Sequence, residues 1–567
     1  MATTAPTTVG RYLGGRLRDI GLGHFFTVPG DYNLVLLDEL LETPELEMIG
    51  CCNELNAGYA ADGYARATGG AAAVVVTYSV GGLSALNAVA GAYAEDLPVI
   101  VISGGPNTNS AAEYELLHHT LGKVDYQYQR DIFARVTADT AVIHHPREAP
   151  RQIDRVLETA LRKRKPVYIE VACNIARGAV SVPSAISPVA LPASDPASLA
   201  DAVDHASGLL DAAVKPVLVA GVKLKPFGAV PAFAKLADAC GYAVATMPNA
   251  KGLFAEDHPA YMGTYWGSVS SPGCAEIVES SDLYLFAGPT FTDYTTVGHS
   301  ALIEPAKLIC AGPDCAVLPD AVYTNVALGE FLEGLAAKTK RNETSLNAFS
   351  RLGGRAPPER ASRDGASLTT RLLFDRIQAM LDERTTVIAE TGDSWFNAID
   401  LRLPHGAGFE IQMQYGSIGW SVGATLGYSL GASDGRSVVA LIGDGSFQLT
   451  AQEISTMIRY GLRPIIFLIN NGGYTIEVEI HDGPYNSIKN WDYAGLVDVF
   501  SAGEGQCTGH RVITVDDLDR AIASARERKG LSLIEVRIDR DDCSKDLLEW
   551  GSHVARNNGR PPRFQHD

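Results

Sequence analysis

Short apolar runs alternate with amphipathic stretches along the whole chain. Residues 73–77 (Ala-Val-Val-Val-Thr), 97–103, 438–442 and 463–469 are short, largely apolar runs. A run of this kind, bounded by turn residues, is a strand buried on both faces. Strands that alternate with helices build parallel sheets rather than sandwiches, so the predicted class is α/β. The rhythm divides into three blocks, each read as a mainly parallel sheet flanked by helices. The first covers 1–185 and ends in a Pro/Ala/Ser-rich stretch at 182–196; the second covers 186–345, with strands expected at 217–220, 283–286 and 308–310. A polar, arginine-rich segment, 346–367, reads as a linker, and the third block covers 368–567.

The first and third blocks share one strand–turn–helix–strand design. In the first, the strand at 73–77 leads through Val80-Gly81-Gly82 into a helix at 83–94 and a strand at 97–103. In the third, the strand at 438–442 leads through Gly443-Asp444-Gly445 into a helix at 449–460 and a strand at 463–469. Only the second copy carries an acid at the turn, which points to different tasks for the two blocks. At the start of the chain, Thr8 is placed as the cap of a helix carrying Tyr12, Leu13, Leu17 and Ile20, stopped by Gly21 and Gly23.

Composition narrows the partners. The chain has 567 residues and a formal charge of −19, a poor match for nucleic acid or an anionic membrane. Nine cysteines at scattered positions do not form a zinc spacing and read as reduced thiols. With no apolar run long enough for a membrane span and no secretory leader, the expected location is the cytoplasm. The 56 glycines suit many tight strand-to-helix turns.

The sharpest local signal is Gly443-Asp444-Gly445-Ser446 followed, after the next strand, by Asn470-Asn471. Ligands of open parallel sheets bind at the carboxyl ends of strands, where both pieces lie. The glycines let the backbone approach a phosphate, and the following helix aims its N-terminal amides at the anion. Asp444, the Asn471 carbonyl and the Gly473 backbone carbonyl offer oxygens that, with two diphosphate oxygens and a water, complete an octahedral Mg2+ ion. The pairing resembles the signature of enzymes that bind thiamine diphosphate through magnesium.

Further motifs narrow the resemblance. Gly30-Asp31-Tyr32-Asn33, Cys52-Asn53-Glu54-Leu55-Asn56, Leu117-His118-His119-Thr120, Glu390-Thr391-Gly392-Asp393-Ser394-Trp395, Tyr474-Thr475-Ile476-Glu477-Val478 and His481-Asp482-Gly483-Pro484-Tyr485-Asn486, with Asn490-Trp491-Asp492-Tyr493, are similar to motifs of the pyruvate decarboxylases. These are the 2-oxo acid decarboxylase branch of the thiamine diphosphate enzymes, and the motifs span nearly the whole chain in order. The resemblance implies a thiamine diphosphate-binding fold used twice, for the cofactor's pyrimidine and its diphosphate, around a Rossmann-like middle domain of structural or regulatory role. It implies a homodimer as the minimum, with active sites between chains, and a homotetramer as the usual form. The implied reaction is the non-oxidative decarboxylation of pyruvate to acetaldehyde and CO2, a fermentative lyase step, by way of a cofactor ylide and enamine.

Site residues follow from the same resemblance. Glu54 corresponds to the acid that protonates the cofactor's aminopyrimidine; the apolar neighbours Leu55, Ala57, Tyr59 and Ala60 predict that it is buried. Ile418 corresponds to the wedge that folds the cofactor, and Gly416 to the carbonyl that binds its amine. Thr391, Gly445, Ser446, Tyr474, Thr475 and Ile476 complete the expected cofactor contacts. Asp31, His118, His119 and Glu477 correspond to the groups that handle protons on the substrate side, where two carboxyls and two imidazoles can relay them near neutral pH. The other histidine pair, His144-His145, reads as a surface turn ahead of a helix at 152–161.

Tyr294, Trp395, Ile476 and Ile480 match positions that line the substrate side, and bulk at the first two favours pyruvate. The alternative is a decarboxylase of larger 2-oxo acids, such as indolepyruvate, phenylpyruvate or branched-chain substrates. A carboligase resembling acetolactate synthase would lack the histidine pair in this context, and a non-catalytic homologue would have lost Glu54, Asp444 or Glu477. Gly221-Val222-Lys223 is no dinucleotide fingerprint, so no flavin is expected. Two departures stand out: Gly472, expected to loosen its loop, and Ala111-Ala112-Glu113-Tyr114-Glu115 ahead of the histidine pair.

Overall fold

The structure is a computed structural model that describes residues 7–181, 190–353, 367–432, 434–504, 506–527 and 529–561. Three sheets carry it. The first has six parallel strands in the order Glu47–Gly50, His24–Thr27, Ala72–Val76, Val99–Gly105, Val167–Ala172, Thr140–Ile143. The last also has six parallel strands, in the order Gly408–Ile411, Thr385–Ala389, Ser437–Gly443, Ile465–Asn470, Ser532–Arg537, Thr508–Val512. Numbered within each block, both orders read 2-1-3-4-6-5, so the likeness of the two blocks extends to their whole topology. The middle sheet has seven strands, of which five parallel ones follow a Rossmann-type 3-2-1-4-5 order and two antiparallel ones extend the edge. Among the described residues no helix is long and apolar enough to cross a membrane.

The expected strands are present within two residues of their predicted ends, and the turns differ more. The chain reverses at 77–79, with Ser79 at φ 60°, so Val80-Gly81-Gly82 is the first turn of the helix Val80–Ala94 rather than a loop. The helix expected at 449–460 is two, Asp444–Thr450 and Glu453–Arg459, joined by a tighter turn in which Ile454 N donates to Ala451 O and Ser455 N to Gln452 O. Thr8 caps its helix, Val9–Asp19, by accepting from Arg11 N at 3.2 Å. His145 likewise caps a short turn ahead of the helix Ala149–Lys163.

The linker expected from residue 346 starts later. Thr344–Arg351 is a helix with Phe349 buried, and Ser345 Oγ accepts Ala243 N at 3.0 Å, which ties it to the middle sheet. Its apolar side at Leu346, Ala348 and Phe349 is what the arginine-rich composition hid. The boundary residues 182–189 and the remainder of the linker, 354–366, lie outside the described residues.

The first and third blocks meet through equivalent elements, the helices Glu54–Thr68 and Trp420–Gly431, each following the second strand of its sheet. The approach is so close that a Cβ at Gly427 would stand 1.7 Å from the Ala60 carbonyl oxygen. Beside this contact Arg66 is enclosed. It donates to Asp62 at 2.7 Å and to Ile411 O at 3.0 Å, and faces Glu95 and Glu410 at 3.4 and 3.7 Å. A buried cation with this many acceptors is costly to remove, because the acids it leaves behind lie out of water.

One buried acid carries a pH dependence. Glu170, on the strand Val167–Ala172 of the first sheet, accepts the Tyr168 hydroxyl, and burial pushes its carboxyl up to about 7. The folded protein therefore favours the protonated acid. The stability this gives is full below the ordinary carboxylate range and is lost as pH rises through 7. Glu170→Gln is expected to raise stability at pH 8 by up to ~3 kcal/mol and to leave it unchanged near pH 4.5, in denaturation curves at the two pH values.

Candidate functional site

In a 2-1-3-4-6-5 sheet the chain leaves strands 1 and 3 in opposite directions, opening a crevice at their carboxyl ends. In the third sheet those strands are Thr385–Ala389 and Ser437–Gly443, and a cavity of about 330 Å³ lies there. It is lined by Thr391, Gly392 and Ser394 after the first of these strands, by Gly443, Gly445 and Ser446 after the second, and by Asn471 and Gly473–Glu477 after Ile465–Asn470. Ile418 closes one side.

Asp444 stands at the head of the helix Asp444–Thr450 with 0% of its surface exposed. Its Oδ1 accepts Gly445 N at 2.8 Å and its Oδ2 accepts Gly472 N at 2.7 Å. Burial pushes its carboxyl up to about 6 despite these bonds. Gly472 has φ 80°, a left-handed conformation natural to glycine, and its N–H bond fixes the loop that was expected to be loose. The Asn471 amide donates to Thr475 Oγ1 at 2.5 Å, which leaves its carbonyl oxygen free to coordinate. A Cβ at Gly445 would meet the Tyr474 ring at 2.4 Å, and one at Gly473 would meet Asn486 O at 2.3 Å. An amide oxygen and close-packed glycine backbone thus line the cavity, with the buried Asp444 carboxylate directly behind them, a donor set for a hard divalent cation and an anionic oxygen ligand.

Glu390 shapes the opposite wall. Fully buried, it accepts the N–H groups of Thr391, Gly419 and Ser421 and the Ser421 hydroxyl, and so sets the loop that carries Gly416 and Ile418. Gly416 has φ 65° and sits beside Tyr294 and Trp395.

The expected substrate-side residues separate. Ile476 lines the cavity, whereas Tyr294 and Ile480 are half-buried and outside its lining. Trp395, expected at the pocket, is 0% exposed: its ring packs edge-on to Tyr294, and its Nε1 has no hydrogen-bond partner. Beyond Tyr294 lies the helix Lys545–Asn558, whose Trp550 packs edge-on against Tyr294 and Phe396 in the same buried cluster as Trp395. Nothing in the local pattern around Trp550 announced this contact. Asp393, also on the cavity wall, receives the Ser544 N–H and hydroxyl and so anchors the start of that helix.

The remaining predicted residues lie on the first block. Asp31 follows strand 1 of the first sheet, the position equivalent to Thr391 and Gly392 in the third. Asp31 Oδ2 is 2.6 Å from His118 Nε2, and Oδ1 is 3.8 Å from His119 Nε2. Tyr32 stacks on His118 at 4.9 Å and meets His119 edge-on, while the Tyr128 hydroxyl donates to His119 O, where the backbone is left-handed at φ 61°. The side chains of Asp31 and His118 remain 53% and 57% exposed.

Glu54 departs from expectation. It is the first residue of its helix, capped by Asn53, and is only half-buried. Its apolar neighbours Ala57, Tyr59 and Ala60 are buried in the core that the first and third blocks share. An acid in this first turn also suits the helix dipole. Among the described residues, all those lining the cavity fall between 370 and 538, so neither Glu54 nor the Asp31–His118–His119 cluster borders it within one chain.

Three family descriptions match the chain in order: "Thiamine pyrophosphate enzyme, N-terminal TPP binding domain" over residues 7–129, "central domain" over 203–333 and "C-terminal TPP binding domain" over 392–536. The chain is 52% identical to pyruvate decarboxylase 4 of Arabidopsis thaliana, across 100% of this chain and 94% of that protein. It is 52% identical to pyruvate decarboxylase 1 of Oryza sativa subsp. indica over the same shares, and 52% identical to pyruvate decarboxylase 1 of Zea mays over 100% and 93%.

Proposed function

The chain belongs to the pyruvate decarboxylase family of thiamine pyrophosphate enzymes, and from that premise we propose that it converts pyruvate to acetaldehyde and CO2 at the switch-point cavity of its third domain. The carrying observation is this cavity, which Asn471 and Glu477 line together, with Asp444 directly behind its lining residues Gly443 and Gly445.

The residues present fit the cofactor and its metal. The volume lies in the range of small-ligand sites, and Gly445 and Gly473 pack so closely on Tyr474 and Asn486 that a side chain at either would displace the loops that line it. Asp444, Asn471 and the Gly473 carbonyl would hold Mg2+. The N–H groups of Gly445 and Ser446 would meet the diphosphate, with Thr391, Tyr474, Thr475 and Ile476 around it. Ile418 and the Gly416 carbonyl would orient the pyrimidine. When bound, thiamine diphosphate supplies the nucleophile and the electron sink for decarboxylation.

The protein's own tasks are proton handling, positioning and exclusion of water. Glu54 holds a proton at the pyrimidine ring nitrogen. Asp31 orients His118 through their short contact, and His118, His119 and Glu477 move protons at the substrate's oxygen and α-carbon. Tyr294 and Ile480, backed by Trp395, limit the room beyond Ile476 and favour a small 2-oxo acid.

These two sets of residues come together between copies of the chain. The Asp31 cluster and the cavity stand at equivalent ends of two sheets with one topology, and the cluster is open to solvent. Exposed Val80, Leu116, Leu121, Leu449 and Tyr485, which border the two half-sites in sequence, suit burial against a second copy. The minimum unit is thus a homodimer, with a homotetramer as the assembled form and a middle domain of structural or regulatory role. Domain boundaries near 185 and 367 suit this layout, with the end of the middle domain moved from 345 to 351 by the helix Thr344–Arg351. A cytoplasmic, fermentative setting suits nine free thiols.

The test is a panel of 2-oxo acids, with Mg2+ and thiamine diphosphate and an alcohol dehydrogenase as the coupling enzyme. Pyruvate is expected to give the highest kcat/KM; a higher value on phenylpyruvate or indolepyruvate overturns the substrate assignment.

A further inference from the structure

A buried acid outside the cavity grips the segment that carries Glu54. Glu453 opens the helix Glu453–Arg459 in the third domain and is 0% exposed. Its two carboxylate oxygens accept the backbone N–H of Cys52 at 3.2 and 3.3 Å. Oε2 also accepts Asn56 Nδ2 at 2.8 Å, and Oε1 accepts Thr456 Oγ1 at 2.8 Å. Cys52 and Asn56 flank Glu54 two residues to either side, and Asn53 Oδ1 caps the same turn by accepting Asn56 N at 2.9 Å. One carboxylate from a different domain therefore holds both ends of a five-residue turn. The Glu54 side chain emerges from its middle, towards the tightly packed Gly81, where an added Cβ would come within 2.9 Å of Glu54 Oε1.

We propose that Glu453 is a positioning residue for the reaction, fixing the direction of the Glu54 carboxyl through Cys52 and Asn56. The inference rests on the reading of Glu54 given above. The bonding pattern separates this role from plain interdomain adhesion. An enclosed carboxylate is costly to bury, and burial pushes this one above the usual carboxylate range. The large Glu54–Thr68 and Trp420–Gly431 contact already joins the two domains without it. A charged acceptor bonds N–H donors about twice as strongly as a neutral one, and here its donors belong to the turn that aims Glu54. A glutamine fits the same volume, but it brings an NH2 where the carboxylate had an acceptor. With its oxygen towards Asn56 the NH2 faces Thr456, and the Cys52 N–H, which both carboxylate oxygens now share, keeps one weaker neutral acceptor.

The experiment measures exchange of the thiazolium C2 proton of bound thiamine diphosphate in D2O, by acid quench and NMR, on Mg2+-loaded holoenzyme. Wild type, Glu453→Gln, Asn56→Ala and Glu54→Gln are compared, with cofactor Kd and kcat and KM for pyruvate. Glu453→Gln is expected to slow exchange and kcat together by about 10–10²-fold, the scale of a displaced catalytic group, with KM and cofactor Kd within about threefold of wild type. Asn56→Ala, which removes one arm of the grip and keeps the carboxylate, is expected to slow exchange by about three- to tenfold and serves if Glu453→Gln does not fold. Wild-type exchange rates in these folded variants overturn the proposal, as does a loss of activity carried wholly by weaker cofactor binding. If Glu54→Gln itself exchanges at the wild-type rate, the fault lies in the role given to Glu54; slow exchange in Glu54→Gln with normal exchange in the other two sinks the Glu453 inference alone.

Discussion

Glu54→Gln is expected to lower kcat for pyruvate by at least about 10²-fold, the low end of what a general acid–base group contributes. The substitution keeps the side chain's volume and its place in the first helical turn. Asn53 still caps Asn56, and Cys52 and Asn56 still meet Glu453, so the fold and the interdomain contact are retained. What is lost is an acid able to share a proton with the pyrimidine nitrogen, because an amide has none to give at neutral pH. Steady-state kinetics at saturating cofactor, beside a thermal unfolding curve, measures both parts. Activity within a few-fold of wild type would falsify the assignment.

Asp444→Ala is expected to weaken Mg2+-dependent retention of the cofactor by at least about 10²-fold, since even a group behind a metal ligand is worth about 10–100-fold. Two effects combine. The variant loses the charged oxygen donor, and it also loses the acceptor for Gly445 N and Gly472 N, which frees the loop presenting Asn471 and Gly473. Asp444→Asn separates them, because its amide oxygen keeps one of the backbone bonds while the charge is gone. The wild-type site adds a pH signature. With its carboxyl lifted to about 6 by burial, metal-free Asp444 is protonated below that pH, and a metal must displace the proton. Metal affinity should therefore fall about tenfold per unit below pH 6 and level off above it. Cofactor remaining after chelation and dialysis, measured from pH 5 to 8, checks all three; retention unchanged in Asp444→Ala removes Asp444 from the metal site.

The legible parts of the site were those written in consecutive residues at strand ends. Gly443-Asp444-Gly445 and Asn470-Asn471 could be read because a strand, its turn and its first helical residues are neighbours in sequence. How far one chain encloses Glu54 was not legible in this way. Apolar neighbours show that a helix has a buried side, but not that its first residue lies on it. Trp395 was legible as a bulky residue in a family motif, yet it is enclosed in a cluster that includes Trp550, far along the chain.

The sequence by itself determined the α/β class, the strand-and-helix rhythm and the duplicated design, because each rests on periodicity or turn chemistry within a few residues; the cofactor it indicated through the resemblance of its motifs to a family. Only the tertiary structure decided the identical 2-1-3-4-6-5 order of the two outer sheets, the separation of Asp31, His118, His119 and Glu54 from the cavity within one chain, and the grip of Glu453 on Cys52 and Asn56. Those features join residues hundreds of positions apart. Side-chain reach and close packing set them, and no local pattern records which distant backbone will arrive beside a given carboxylate.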